Sequence, residues 1–160
     1  YISEHELNTF MTEIFNAFQP YANIKHINFT YESNFRYMNV WFDKEKMESI
    51  LKNIISNALK YTPENGNVQI FVSENNDSWS VEVKDTGIGI PKDSLKKIWE
   101  RFYKTDLSRG KDKRGTGLGL SIVKEIIQAH GENINCISTE GVGTEFIFTL
   151  PLAKEQKEHA

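Results

Sequence analysis

The stretch Trp79-Ser-Val-Glu-Val-Lys-Asp85-Thr-Gly87-Ile-Gly89 decides how this chain folds. From Trp79 to Lys84 it alternates apolar and polar residues, the period of a half-buried strand, and it then breaks at two glycines. The strand therefore delivers a carboxylate, Asp85, to the start of a tight turn. Val68 to Ser73 alternates in the same way, so Glu74-Asn-Asn-Asp77 reads as the loop of a hairpin joining the two strands. Downstream, Gly115-Thr-Gly117-Leu-Gly119-Leu120 opens an amphipathic helix expected over Leu118 to His130. A glycine-rich helix entry offers backbone N–H groups to an anion. A carboxylate in one place and an anion cradle in the other fit a nucleotide held by its base and its phosphates.

The flanking segments fill in the architecture. Leu7, Phe10, Met11, Ile14 and Phe18 recur at helical spacing, predicting a helix from Ser3 to Gln19 that stops at Pro20. Ile27 to Tyr31 and Met38 to Phe42 read as strands with a turn around Ser33-Asn34. Asp43 caps a long helix whose stripe is Met47, Ile50, Leu51, Ile54, Ile55, Ala58 and Leu59, and Thr62-Pro63 ends it near Tyr61. Pro91 to Ile98 is expected as a short helix, and Thr105 to Arg114, polar and without period, as a loop. Ile134 to Ser138 and Thr144 to Leu150 form a closing strand pair around Gly141-Val-Gly143. The fold class is α+β: a two-layer sandwich, its mixed and mostly antiparallel sheet covered on one face by helices. One domain over residues 1–152 is expected, followed by a charged, frayed tail over 153–160.

Composition removes several functions. The 160 residues carry a net charge of -3 with Lys and Arg dispersed, which argues against an electrostatic nucleic-acid binder. No apolar run is long enough to span a bilayer and no signal peptide opens the chain, so direct membrane contact is not expected. The lone Cys136 leaves no disulfide framework and no cysteine metal site. It reads as a small hydrophobe in a cytoplasmic protein.

Asn53 and Asn57, four apart, share a face of the long helix, and Lys60 lies within a turn of Asn57. Amide oxygens suit Mg²⁺ bridging phosphates, and the lysine can neutralise phosphate charge. Two asparagines alone would read as a solvated face, but asparagine among apolar neighbours is a poor helix former without a task. Asp85 can accept from an exocyclic amino group, which favours adenine. Its bland reading is a turn aspartate beside turn glycines. The second cluster is neither a Rossmann fingerprint nor a Walker loop, since no strand precedes it and no Gly-Lys-Ser/Thr follows.

The order of these motifs resembles the catalytic, ATP-binding domain of bacterial sensor histidine kinases, in the wider Bergerat-fold group with gyrase and MutL-type ATPases. Asn53 to Thr62 resembles the N box and Asp85 to Gly89 the first glycine box. Trp99-Glu-Arg-Phe-Tyr103 resembles the F box with tryptophan in the usual phenylalanine position. Gly115 to Leu120 resembles the second glycine box, and Gly141 to Thr144 a later Gly-Thr element. The resemblance implies a Bergerat-type sandwich that binds ATP and Mg²⁺, with Asn57 as metal ligand and Asn53 as a second polar contact. It implies Lys60 on phosphate, Tyr61 against adenine, and Asp85 reading the adenine amino group with Thr144 nearby through water. It places Gly87, Gly89, Ile90 and Phe102 at the nucleotide, with Arg114, Gly115, Thr116, Gly117, Leu118, Gly119 and Leu120 around the phosphates. Lys104 stands where the family often has arginine, and Thr105 to Arg114 becomes the ATP lid. The implied partners are a histidine-bearing helical dimerisation domain of the parent kinase and a response regulator, with this fragment itself a monomer.

Hydrolysing relatives of this group carry a glutamate where this chain has Asn53, and asparagine cannot act as a general base. Phosphoryl transfer to histidine with slow hydrolysis is therefore expected. His5-Glu-Leu-Asn-Thr9 mimics a phosphoacceptor motif but lacks its basic residue and proline, and His5 is expected on the exposed face of the first helix. Asp85-Thr-Gly87 is also the tripeptide of aspartic proteases, which would require a homodimer and leave the second glycine cluster unexplained. A degenerate nucleotide-binding regulatory module is the other alternative.

Overall fold

The computed structural model describes residues 1–100, 119–129, 131 and 133–152. Its elements are β1 (Ser3–Glu6), α1 (Leu7–Lys25), β2 (Asn28–Ser33), β3 (Asn39–Phe42), α2 (Lys44–Tyr61), β4 (Asn67–Glu74), β5 (Ser78–Asp85), α3 (Gly119–Ala129), β6 (Ile134–Thr139) and β7 (Gly143–Pro151). The main sheet has the order β2-β4-β5-β7-β6, antiparallel except for the parallel pair β2–β4. β1 and β3 form a separate antiparallel ribbon. The hairpin, the capped central helix and the closing strand pair all stand where their sequence patterns place them.

Period two decides which side of the sheet is dry. Val68, Ile70 and Val72 on β4, Val81 and Val83 on β5, and Phe146, Phe148 and Leu150 on β7 point inward and are buried. They meet the stripe of α2, whose Ile50, Leu51, Ile54 and Ile55 are fully excluded from solvent. Asp43 starts α2 by accepting the Lys46 N–H at 3.1 Å. α1 and α3 flank α2 on the same face of the sheet, and the other face carries no helix among the described residues.

Three expectations need correction. The N-terminal segment begins as a strand: Ser3 to Glu6 pairs with β3, and His5 is half-buried with its ring stacked on Phe42 at 4.7 Å. His5 is therefore on no helix face. α1 starts at Leu7 because the Glu6 carboxylate accepts the Asn8 and Thr9 N–H groups at 3.0 and 2.8 Å. Second, α1 runs through Pro20 to Lys25. A helical proline costs about 3 kcal/mol. Here the extra turn buries Ala22 and ends on His26 in a left-handed conformation, whose N–H returns to the Ala22 and Asn23 carbonyls. Third, Pro91 to Ile98 is a run of turns. Leu95 and Ile98 bond four residues back, whereas Ser94, Lys97 and Glu100 bond three back, so no two successive α-type bonds form.

The open face of the sheet holds a like-charge pair. Glu82 on β5 and Glu145 on β7 lie on a diagonal, since Glu82 pairs with Ile147 and Glu145 with Lys84. Hydrogen bonding to Glu145, then burial and repulsion, push the Glu82 carboxyl up to about 7. A folded-state pKa raised above the unfolded value contributes stability at low pH that is lost as pH rises through about 7. Urea unfolding should therefore show Glu82→Gln more stable than wild type at pH 8, by about 1 kcal/mol after solvent screening. At pH 4 the advantage should vanish.

Candidate active site

Three segments that are remote in sequence meet at one end of the sheet: the C-terminus of α2, the loop after β5, and the β6–β7 turn. Ile88 joins them through its backbone. Its N–H donates to the Tyr61 carbonyl at 3.1 Å, and its carbonyl accepts the Gly141 N–H at 2.7 Å. Gly87 makes this approach possible, because a Cβ there would sit 2.5 Å from the Tyr61 oxygen. Gly89 has φ +73° and equally little room, a Cβ falling 2.2 Å from the Thr139 oxygen.

Asp85 ends β5 with only 8% of its surface exposed. Its Oδ1 accepts the Gly87 N–H at 2.8 Å and the Thr144 N–H at 3.2 Å. Its Oδ2 accepts nothing among the described residues. Burial raises the Asp85 carboxyl above the usual range, against the opposing effect of the two N–H donors. One carboxylate oxygen thus fixes the side chain while the other remains an acceptor for a ligand donor. In register across three strands, Asp85 pairs with Thr144 and Thr144 with Ser138. This row is polar, whereas the next two rows inward, Val83–Phe146–Cys136 and Val81–Phe148–Ile134, are apolar apart from the thiol. Burial and the Asp85 charge push the Cys136 thiol up to about 12, which leaves it a neutral filler as its sequence context predicts.

On α2, Asn53 and Asn57 are half-buried at the edge of the apolar stripe, each between an exposed residue (Lys52, Ser56) and a buried one (Ile54, Ala58), and Lys60 is exposed. The Asn53 Nδ2 donates one of its two N–H groups to the Ser49 carbonyl at 2.9 Å. Lys60 Nζ lies 5.4 Å from the Tyr61 ring centroid, close enough for a cation–π contact. Lys25 of α1 donates to the Leu59 and Lys60 carbonyls at 2.9 and 2.7 Å and so caps this end of α2. The structure thus brings Tyr61, Asp85, Gly87, Gly89, Ile90 and Thr144 together at this end of the sheet, with Lys60 and Asn57 in the last turns of α2 and Asn53 one turn further back along that helix. Gly119 and Leu120 begin α3, which packs on α2. Phe102, Lys104, Arg114, Gly115, Thr116, Gly117, Leu118 and the expected lid lie outside the described residues. Sequence reasoning missed Lys25, which lies beyond the point where Pro20 was expected to end the first helix. It also missed Ser138, an unremarkable serine on a strand.

Residues 42–154 match the family described as histidine kinase-, DNA gyrase B- and HSP90-like ATPases. The chain belongs to this family. It is 44% identical over 93% of its length to the sensor histidine kinase WalK of Bacillus subtilis strain 168, covering 24% of that protein. It is 41% identical over 78% of its length to the sensor protein SrrB of Staphylococcus aureus, covering 21% of that protein. The chain thus spans about a quarter or less of the curated relatives it matches. Among solved structures, the nucleotide-free catalytic domain of the histidine kinase ThkA superposes with a TM-score of 0.83 at 30% identity, covering 96% of this chain and 99% of that one. Full-length ShkA in complex with AMPPNP gives 0.83 at 27% identity, covering 95% of this chain and 31% of that one. The expected resemblance and fold class hold, and membership of an ATPase family supports ATP as the ligand.

The unpartnered Oδ2 of Asp85 is an acceptor of the kind that an exocyclic amino group such as adenine's requires. Asp85→Asn should weaken ATP binding by roughly 10- to 100-fold, the value of a hydrogen bond to a charged group. ATP affinity of the wild type, measured by calorimetry, should also fall as pH drops through the raised Asp85 value. The variant should show no such titration.

Proposed function

We propose that this chain is the kinase core of a two-component sensor histidine kinase, transferring the γ-phosphate of ATP to a histidine on a separate helical dimerisation domain. The observation that carries this reading is Asn53. It occupies the half-buried face of α2 one turn before Asn57, and one of its amide N–H groups donates to the Ser49 carbonyl. The side chain is a neutral amide that cannot take a proton from water.

The described residues hold no group of three His, Cys, Asp or Glu side chains able to bind a metal by themselves. Mg²⁺ would therefore arrive with the phosphates, held by the Asn57 amide oxygen, which has no hydrogen-bond partner among the described residues. The ion would supply charge neutralisation for the transferring phosphoryl group. Asp85 orients the base, Tyr61 borders it, and Lys60 places a cation one turn from Asn57. Each of these residues positions or neutralises, which is what phosphoryl transfer requires of a protein.

The acceptor domain and a response regulator are the partners this reading requires. A relative of this fold, ThkA, has been solved in complex with the response regulator TrrA. The fragment acts as a monomer in the cytoplasm. Among the described residues no helix is long and apolar enough to cross a membrane.

Incubated with γ-labelled ATP and Mg²⁺, the chain should hydrolyse slowly and leave His5 unlabelled. An acceptor domain from its parent protein, when added, should become labelled at histidine. Asn57→Ala should lower that transfer at least about 100-fold while leaving the far-ultraviolet circular dichroism unchanged. Rapid Mg²⁺-dependent hydrolysis by the chain alone would overturn the assignment.

A further inference from the structure

Ser138 sits at the far end of the polar row, one strand beyond Thr144, and three groups converge on its hydroxyl. The Ile90 N–H donates to Ser138 Oγ at 2.8 Å. The Gly143 carbonyl lies 2.9 Å away as an acceptor. Thr144 Oγ1 lies at 2.9 Å, a contact in which either hydroxyl can donate.

A proton count resolves that ambiguity. A carbonyl only accepts, and two oxygens at 2.9 Å with no proton between them repel. The single Ser138 proton therefore goes to Gly143. Its two lone pairs are left for Ile90 N–H and for a second donor, which must be the Thr144 hydroxyl. Thr144 has then used its only proton and retains lone pairs alone. Beside it, the Asp85 Oδ2 is also an unpartnered acceptor among the described residues, and the two residues are joined by the Thr144 N–H bond to Oδ1. The end of the row is an acceptor-only wall.

We infer that Ser138 is a positioning residue for base selectivity: it takes the Thr144 proton and so turns that hydroxyl into a fixed acceptor. This rests on the ATP-binding reading above and adds to it a residue that touches no ligand. A wall of acceptors receives an exocyclic amino group, directly or through one water. It repels the carbonyl that replaces that group in inosine and guanine nucleotides. Without Ser138, the Thr144 hydroxyl regains a free proton and can donate to such a carbonyl.

The test is the ratio of ITP to ATP dissociation constants, measured by calorimetry on the intact chain. Ser138→Ala should lower this ratio about 3- to 10-fold, one neutral hydrogen bond changing sign. Ser138→Thr, which keeps a hydroxyl, should restore it. A merely structural loss at Ile90 would weaken both nucleotides together and leave the ratio unchanged, and that result would overturn the inference. Thr144→Val guards against misfolding of the alanine variant. It should lower the ratio by itself and abolish any further effect of Ser138→Ala, and an unchanged ratio would count against the inference equally. If the wild type binds ATP in preference to ITP but the variants keep its ratio, only the role of Ser138 fails. If the wild type binds neither nucleotide, the functional reading fails first.

Discussion

The backbone of Ile88 is the point on which the site depends. Its N–H and carbonyl tie the end of α2 to the β6–β7 turn, across separations of 27 and 53 residues. Neither bond involves a side chain, so each requires two backbones to come within hydrogen-bond distance in a crowded place. That requirement explains the glycines. At Gly87 and Gly89 a side chain would overlap a carbonyl oxygen of the segment being bound. The first glycine box therefore serves as a clasp before it serves as a ligand surface. If it were opened, Asp85 on the sheet and Asn57 on the helix would lose their fixed relation, although both elements would persist.

The second constraint is the change from apolar to polar along the sheet. Inward rows of Val, Ile and Phe pack on α2, and one row later the same face carries Asp85, Thr144 and Ser138. Burying a carboxylate this far is unfavourable unless its oxygens are bonded. The Gly87 and Thr144 N–H groups satisfy one oxygen, and both donors come from the elements that the Ile88 clasp brings together. Fold and site are thus stabilised by the same few bonds. Burial is what raises the Asp85 pKa, against the two N–H donors, and its other oxygen has no donor among the described residues.

Much of this was legible in the chain because it was written in local periodicity. The α2 stripe, its Asp43 cap and its stop before Pro63 are short-range signals, and so is the alternation of β4, β5 and β7. What failed was decided at longer range. The helical spacing of Leu7 to Ile14 is real, yet Ser3 to Glu6 leaves that pattern to pair with β3, a choice that no local propensity records. Pro20 carries a strong stop signal, and burial of Ala22 together with the His26 cap outweighs it. Pro91 to Ile98 has helical composition but too few successive α-type bonds to become a helix. Asn53, Asn57 and Asp85 could be singled out because asparagine is out of place in an apolar stripe and aspartate at a strand end. Ser138 and Lys25 could not, since serine on a strand and lysine in a last turn are ordinary, and their importance lies only in which carbonyls they reach.

On the proposed assignment, one scaffold can serve either hydrolysis or transfer. The clasp, the polar row and the capped end of α2 are all built without Asn53. That residue lies two helical turns back from Tyr61 and contacts none of those bonds. On that reading, exchanging the amide for a carboxylate at this position would supply a base for an attacking water while leaving the clasp and the polar row as they are. The proposed chemistry then lies on one face of a helix whose opposite face is occupied by packing, and the two can vary separately. In a family that spans kinases and ATPases, that separation is the physical reason a shared fold does not dictate a shared reaction.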